Sequence, residues 1–297
     1  MSHLLSGSAQ VFLAAALWGT FGVSVRLLDG LAPTDALSVG FFRLAFSAPA
    51  LGLAGVAALG RQVWRVERRD LPLMALVGAM MALYQVCYVS AVQQAGVTLA
   101  VLVTLCSAPA IVAVLAGVFL KERLTLAVGG ALAAALVGTA LLVNPQGGPV
   151  EASRALLGAA FALGAATAYA VVTLLGRAFA ARYHPLQPLV IGFPFGAALL
   201  LAFALPNGLA LGYPPLGWGI LVWLGLGPTA LAYVLFFNGM KRTPATAASV
   251  IALAEPLTAT TLAAALFGER LGATGGLGAA LLVAGVLALL VKPPRSA

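Results

Sequence analysis

Ten apolar segments follow one another through the sequence, and each is long enough to cross a lipid bilayer. A transmembrane helix needs about 20 consecutive apolar residues. The longest polar break, Gly60 to Asp70, has only eleven residues and leaves no room for a water-soluble domain. We predict helices at residues 10–28, 34–59, 71–92, 97–120, 125–143, 155–176, 185–205, 216–240, 245–267 and 272–291. The sequence therefore predicts an all-α integral membrane protein with ten transmembrane helices.

The residue composition supports a lipid environment. Only 8% of the residues are charged, whereas an ordinary soluble protein has about 25%. The 34 glycines suit helices that pack closely through small residues, as helices in membranes do. Cys87 and Cys106 lie inside apolar segments, which argues against a disulfide framework or a metal site. We expect no cofactor and no bound metal.

The positions of the 16 Lys and Arg residues predict how the chain is oriented. Its net charge of +8 does not indicate a nucleic-acid partner, because the basic residues lie in short loops rather than on one face. If the N-terminus is inside, the inner loops and tail hold twelve of them and the outer ends hold three. Cytoplasmic loops carry the excess of Lys and Arg. We therefore predict a multi-pass protein of the bacterial inner (plasma) membrane with both termini in the cytoplasm.

The two halves of the sequence resemble each other. An offset of 151 residues aligns Trp18 with Tyr169 and Arg26 with Arg177. An offset of 147 residues gives further matches: Pro109 with Pro256, Glu122 with Glu269, Arg123 with Arg270, Leu124 with Leu271, Gly129 with Gly276, and Gly138 with Gly285. Since each half has five helices, the halves must have opposite orientations. We predict two inverted repeats, residues 1–150 and 151–297, as in many secondary transporters.

Several short motifs resemble the EamA family of ten-helix exporters in the drug/metabolite transporter superfamily. They are Leu17-Trp18-Gly19, Phe42-Arg43-Leu44, the segment from Pro109 to Leu124, and Glu255-Pro256 followed by Gly268-Glu269-Arg270-Leu271. The resemblance covers nearly the whole chain and implies export of metabolites. Its similarity to bacterial amino-acid exporters of the YddG kind implies amino acids as substrates, with aromatic amino acids as one candidate.

Two charged residues, Arg43 and Glu255, fall well inside apolar segments and near the membrane midplane. A charge at that depth costs several kcal/mol unless it is paired or hydrated. Arg43 either locks the bundle by bonding to backbone carbonyls or to Glu255, or it serves transport. Glu255 is either a structural partner of this kind or lies beside the substrate path.

Aromatic and polar residues inside the predicted helices are candidates for binding substrate. They are Trp18, Tyr84, Gln85, Tyr88, Thr104, Tyr169 and Tyr233. One interpretation is a dry core or an aromatic belt at the membrane surface. The other is a hydrated cavity, because a buried Tyr hydroxyl needs a partner or water. We expect helices 1, 3, 4, 6, 8 and 9 to line this cavity and helices 2, 5, 7 and 10 to be mainly peripheral.

The repeat-related Pro109 and Pro256 are candidate hinges. Proline removes a backbone donor and frees a carbonyl within a helix, and broken helices often mark transporter sites. The alternative is a static kink whose backbone groups find other partners.

Two other classes of protein fit the sequence less well. An intramembrane enzyme is disfavoured because His3 and His184 are near the membrane edges and no Asp lies in a helix core. A channel is disfavoured because no segment resembles a selectivity filter. The predicted function is secondary transport, the export of small organic metabolites and especially amino acids by alternating access. Its only predicted partners are a small-molecule substrate and the lipid bilayer, and the sequence does not define an oligomeric state.

Overall fold

The computed structural model describes residues 6–122, 124–142, 151–268 and 272–291, and all regular elements in these ranges are helices. Nine of them are long and apolar enough to span a membrane, and a tenth is shorter. Each end lies within five residues of its predicted position. The helices are α1 (Gly7–Asp29), α2 (Ala36–Leu59), α3 (Arg68–Val97), α4 (Leu99–Phe119), α5 (Leu126–Leu142), α6 (Ala152–Ala180), α7 (Leu186–Ala204), α8 (Pro215–Gly239), α9 (Ala245–Phe267) and α10 (Ala273–Val291).

Some positions used in the sequence predictions lie outside the described ranges. They are His3, Arg123, Glu269, Arg270, Leu271, Lys292 and Arg295. Residues 143–150, which end at the predicted boundary between the halves, lie outside them as well. The exact division at residues 150 and 151 therefore stays a prediction.

Local sequence signals explain where several helices begin and end. The Asp35 carboxylate caps α2 by accepting a hydrogen bond from the Ser38 backbone nitrogen at 2.8 Å. At the end of α3, Gly96 has a φ angle of 80°, which glycine adopts without steric cost. The bend at Gly96 turns one continuous apolar stretch into two spanning helices.

The helix packing repeats between the two halves of the chain. α1 packs against α8 and α9, and α6 packs in the same way against α3 and α4. α2 pairs with α7 and α5 pairs with α10, so these helices contact their own repeat equivalents. A pseudo-two-fold axis between the halves produces this pattern. The predicted ten-helix membrane fold with two inverted repeats is confirmed.

Repeat-related glycines allow the closest helix contacts. Gly78 of α3 lies against the backbone of α7, where an added Cβ would be 1.8 Å from the Gly192 carbonyl oxygen. Its equivalent at an offset of 147, Gly225 of α8, lies against α2 with the Arg43 carbonyl oxygen 3.2 Å from an added Cβ. Helices in a bilayer associate largely through such close packing.

The loops predicted to be cytoplasmic meet at one face of the bundle. Arg182, after α6, pairs with Asp70 at the start of α3, and the Tyr183 hydroxyl donates to the same carboxylate at 2.6 Å. The Gln187 side chain donates to the Gln62 carbonyl oxygen at 3.1 Å. These loops therefore share a side of the membrane, and the assignment of that side to the cytoplasm stays a prediction.

The contact between α5 and α10 gives a test of packing by glycine. An added Cβ on Gly138 would lie 2.6 Å from the Leu282 backbone nitrogen, whereas one on Gly130 of the same helix meets nothing within 4 Å. We expect Gly138→Ala to destabilise the protein by about 1–3 kcal/mol through overpacking and Gly130→Ala to leave stability unchanged. Thermal unfolding in detergent measures both, and equal melting temperatures would contradict the packing role.

Candidate functional site

A cavity of about 40 Å³ lies between α3, α4, α6 and α9. Five of the predicted site residues line it, which are Tyr84, Thr104, Pro109, Tyr169 and Glu255. This volume is enough for water but far below the roughly 300–1,000 Å³ of ligand pockets. The cavity is therefore contracted in this structure and must widen to hold an organic molecule.

A second cavity, of about 20 Å³, shares Tyr84 with the first in its lining. Its lining includes Arg43 of α2, Gln85 of α3, Leu200 of α7 and Tyr233 of α8. The expectation that α2 and α7 are mainly peripheral is therefore wrong. Small residues explain the error, because Gly40 of α2 has no side chain and lets Gln85 lie directly against that helix.

An aromatic cluster holds the repeat equivalents Trp18 and Tyr169 together, with ring centres 6.2 Å apart. The Trp18 ring also lies 5.2 Å from Tyr233 and 5.0 Å from Phe236. Among the described residues, the buried Trp18 Nε1 has no hydrogen-bond partner. The aromatic rings thus surround the buried N–H group of Trp18 with apolar surface.

Four other predicted site residues have structural contacts. Tyr84 and Tyr88 stack on one face of α3 with ring centres 5.9 Å apart, but Tyr88 lines neither of the two cavities described above. Gln85 donates to the Ala36 carbonyl oxygen at 2.9 Å and so ties α3 to α2. The Thr104 hydroxyl, although it lines the larger cavity, donates to the Ala162 carbonyl oxygen at 3.3 Å.

Glu255 lies immediately after a break in α9. The regular helix stops at Ala252 and resumes at Ala254. Gly19 of α1 packs against this point, because an added Cβ there would be 2.6 Å from the Glu255 carbonyl oxygen. The Glu255 side chain faces the larger cavity and makes no hydrogen bond or ion pair with a described residue.

Arg43 is bound to α8 and not to Glu255. Its Nε donates to the Thr229 hydroxyl at 3.1 Å, and Thr229 donates to the Leu224 carbonyl oxygen at 2.6 Å. The guanidinium carbon lies 4.5 Å from the centre of the Phe21 ring. The predicted alternative of an ion pair with Glu255 is therefore absent from this structure.

Sequence reasoning missed Thr229, which lies in a π-helical turn, Leu226–Leu231, within α8. Pro228 lacks a backbone N–H, and the wider turn lets Thr229 reach the carbonyl five residues earlier. Such turns are frequent at functional sites. The Gly-Pro pair inside an apolar segment is the signal that points to it.

The two candidate hinge prolines have different surroundings. Pro256 lies just after the break in α9, which agrees with the expectation of a broken helix there. Pro109 lies inside α4, which continues as a regular helix on both sides of it. The expected interruption of α4 at Pro109 is therefore not seen, and a hinge at Pro256 stays a prediction.

Glu122, which the sequence marks only as a repeat position, closes one end of the bundle. Its carboxylate accepts hydrogen bonds from the Ala245 nitrogen at 2.9 Å and the Thr246 nitrogen at 3.2 Å, which are the first residues of α9. Arg177 of α6 pairs with the same carboxylate at 3.5 Å and donates to the Met240 carbonyl oxygen beyond α8. The carboxylate and the guanidinium each complement the nearby helix end. We call Glu122, Arg177 and these backbone groups the end latch.

Ten apolar helices in two inverted repeats, packed around a small cavity with apolar walls and a few polar groups, are the architecture of a multi-pass membrane transporter. The chain belongs to the EamA-like transporter family, whose model matches residues 5–144 and 156–291. The family match covers each half of the chain in turn.

Similar proteins agree with this assignment. The uncharacterized transporter YwfM of Bacillus subtilis is 32% identical over 290 residues, covering 97% of this chain and 95% of the relative. A probable terminal-alkyne amino-acid exporter of Streptantibioticus cattleyicolor is 29% identical over 280 residues, covering 93% and 90%. A solved protein structure with 24% identity has a TM-score of 0.78 and covers 96% of each chain, which shows the fold.

The end latch gives a stability test with a matched control. Glu122→Ala leaves two backbone N–H groups of α9 without their acceptor, which we expect to cost about 1–3 kcal/mol. Glu67→Ala removes an exposed pair with Arg69, whose side chains are 53% and 73% exposed, and we expect less than about 1 kcal/mol. Thermal unfolding compares the two variants. Equal losses would mean that the Glu122 contacts do not hold the helix ends together.

Proposed function

We propose that this protein exports amino acids by alternating access, and that the substrate passes through the cavity beside Glu255. The observation that carries this proposal is the Glu255 carboxylate, which has no hydrogen-bond or ion-pair partner among the described residues and faces a cavity near the break in α9. A charge in the membrane interior is costly unless it is paired, hydrated or neutralised by a ligand. A cationic group on the substrate would supply the missing partner.

The walls of the cavity fit a small amphipathic molecule. Tyr84, Tyr169 and Leu105 supply apolar surface, while Thr104 and Ser249 add hydroxyl groups. Ligand sites typically combine mostly apolar walls with a few polar groups that orient the ligand. Aromatic faces also attract cations. An α-amino acid with an apolar side chain has this combination of properties.

The likeness to a probable terminal-alkyne amino-acid exporter supports the same class of substrate. That protein aligns with 93% of this chain, which includes the helices around both cavities. We extend the amino-acid part of its description to this protein as a proposal.

The repeat symmetry supports the alternating-access part of the proposal. The offsets of 147 and 151 residues relate Glu122 to Glu269 and Arg177 to Arg26. Inverted repeats place equivalent residues at opposite faces of the membrane. We propose that the Glu122–Arg177 pair closes one face, and that opening this pair exposes the central cavity to that side of the membrane.

Counterflow in proteoliposomes tests the transport proposal. Vesicles loaded with one unlabelled amino acid should accumulate the labelled form of at least one of the twenty, and transport should saturate. Tyr84→Ala should raise the KM by roughly 3- to 30-fold, because it removes an aromatic wall of the cavity. Trp64→Ala, at a 58% exposed aromatic residue, is the control and should leave the KM unchanged. Absence of exchange for all twenty amino acids would contradict the proposal.

A further inference from the structure

The two small cavities hold opposite charges and share one tyrosine in their linings. Glu255 lies in the larger cavity and Arg43 in the smaller, and Tyr84 lines both. Glu255 and Arg43 are within electrostatic range of each other but are not in contact. Movement of the Tyr84 ring would join the cavities into one space with a negative and a positive end.

Each charged group has binding capacity that the protein does not use. Arg43 uses its Nε for Thr229, and its two Nη groups make no hydrogen bond to a described residue. The guanidinium group can bind a carboxylate through two parallel hydrogen bonds. The Glu255 carboxylate, also without a hydrogen bond, can accept several from an ammonium group.

The failure of these residues to pair is informative in itself. Two opposite charges in a membrane interior would gain from direct contact. Arg43 is instead held on α8 by Thr229 and lies over the Phe21 ring, while Glu255 lines the other cavity beside the break in α9. A molecule with both charges would contact both groups once the two cavities widen and join around Tyr84.

We propose that Glu255 and Arg43 are the two ends of a site for a zwitterion, in which Glu255 binds the ammonium group and Arg43 binds the carboxylate. This inference rests on the proposed function, since it assigns the amino-acid substrate its binding groups. The Tyr84 ring, between the two ends, contacts the ammonium group or the side chain. Gln85 and Thr229 are positioning residues, which hold α3 against α2 and the guanidinium group against α8.

Binding of matched probes in detergent tests the site without requiring transport. L-Leucine carries both charges, 3-methylbutylamine lacks the carboxylate, and 4-methylpentanoate lacks the amino group. L-Phenylalanine, 2-phenylethylamine and 3-phenylpropanoate form a second set. Ligand-induced shifts in melting temperature give the affinities. At least one amino acid should bind roughly tenfold or more tightly than both of its single-charge analogues.

Single substitutions assign the two ends. Glu255→Gln should remove the preference for the amino acid over the acid analogue, and Arg43→Gln should remove the preference over the amine. Glu67→Gln and Arg69→Gln remove charges of the same types from an exposed pair and should preserve both preferences. Thr229→Ala should weaken carboxylate binding while the preference over the acid analogue remains, since Glu255 is untouched.

The outcomes separate this inference from transport itself. Equal binding of an amino acid and its analogues, a site that prefers the amine alone, or no binding of either amino acid would overturn the zwitterion site. If counterflow of amino acids occurs in the same preparation, the transport proposal stands while this site fails. If an amino acid binds selectively but no counterflow occurs, the zwitterion site stands and the transport proposal fails.

Discussion

Close contact between helix backbones is the constraint on which the rest of this structure depends. Inside a bilayer no hydrophobic force drives helices together, because lipid tails are as apolar as the helix surfaces. Helices therefore associate through close packing and polar contacts. Gly78 against Gly192 and Gly138 against Gly278 each bring the backbone of a helix in the first half against one in the second half. Gly19 does the same at the break in α9, and this contact fixes where Glu255 enters the cavity.

The helices and the repeat were predictable because membrane thickness sets helix length and because equivalent residues recur at fixed offsets. The repeat also identified Trp18 and Tyr169 as equivalent positions, but their contact with each other and with Phe236 came from the structure. Partners across helices were not predictable. Arg43 donates a hydrogen bond to Thr229, which is 186 positions away in the chain. No local sequence pattern relates residues that far apart. The inward position of α2 was missed because a glycine gives no hydrophobic signal.

The polar contacts divide into two groups with different consequences. At the end latch, Glu122 is fully engaged with Arg177 and the start of α9, so its charge is neutralised by the protein. In the cavities, Arg43 and Glu255 have hydrogen-bonding groups that no residue in the described ranges uses. A fully satisfied network holds a conformation, whereas an unsatisfied buried charge favours binding of a ligand. The chain thus combines a fully paired end latch with a centre that, in our proposal, binds a charged substrate.

The most direct test of this account is a structure determined with a transported amino acid bound. The account predicts ligand density between Arg43 and Glu255, with the ligand nitrogen within hydrogen-bonding distance of the Glu255 carboxylate and a widened cavity around Tyr84. Density at any other place, or a direct Arg43–Glu255 ion pair in the bound state, would contradict it.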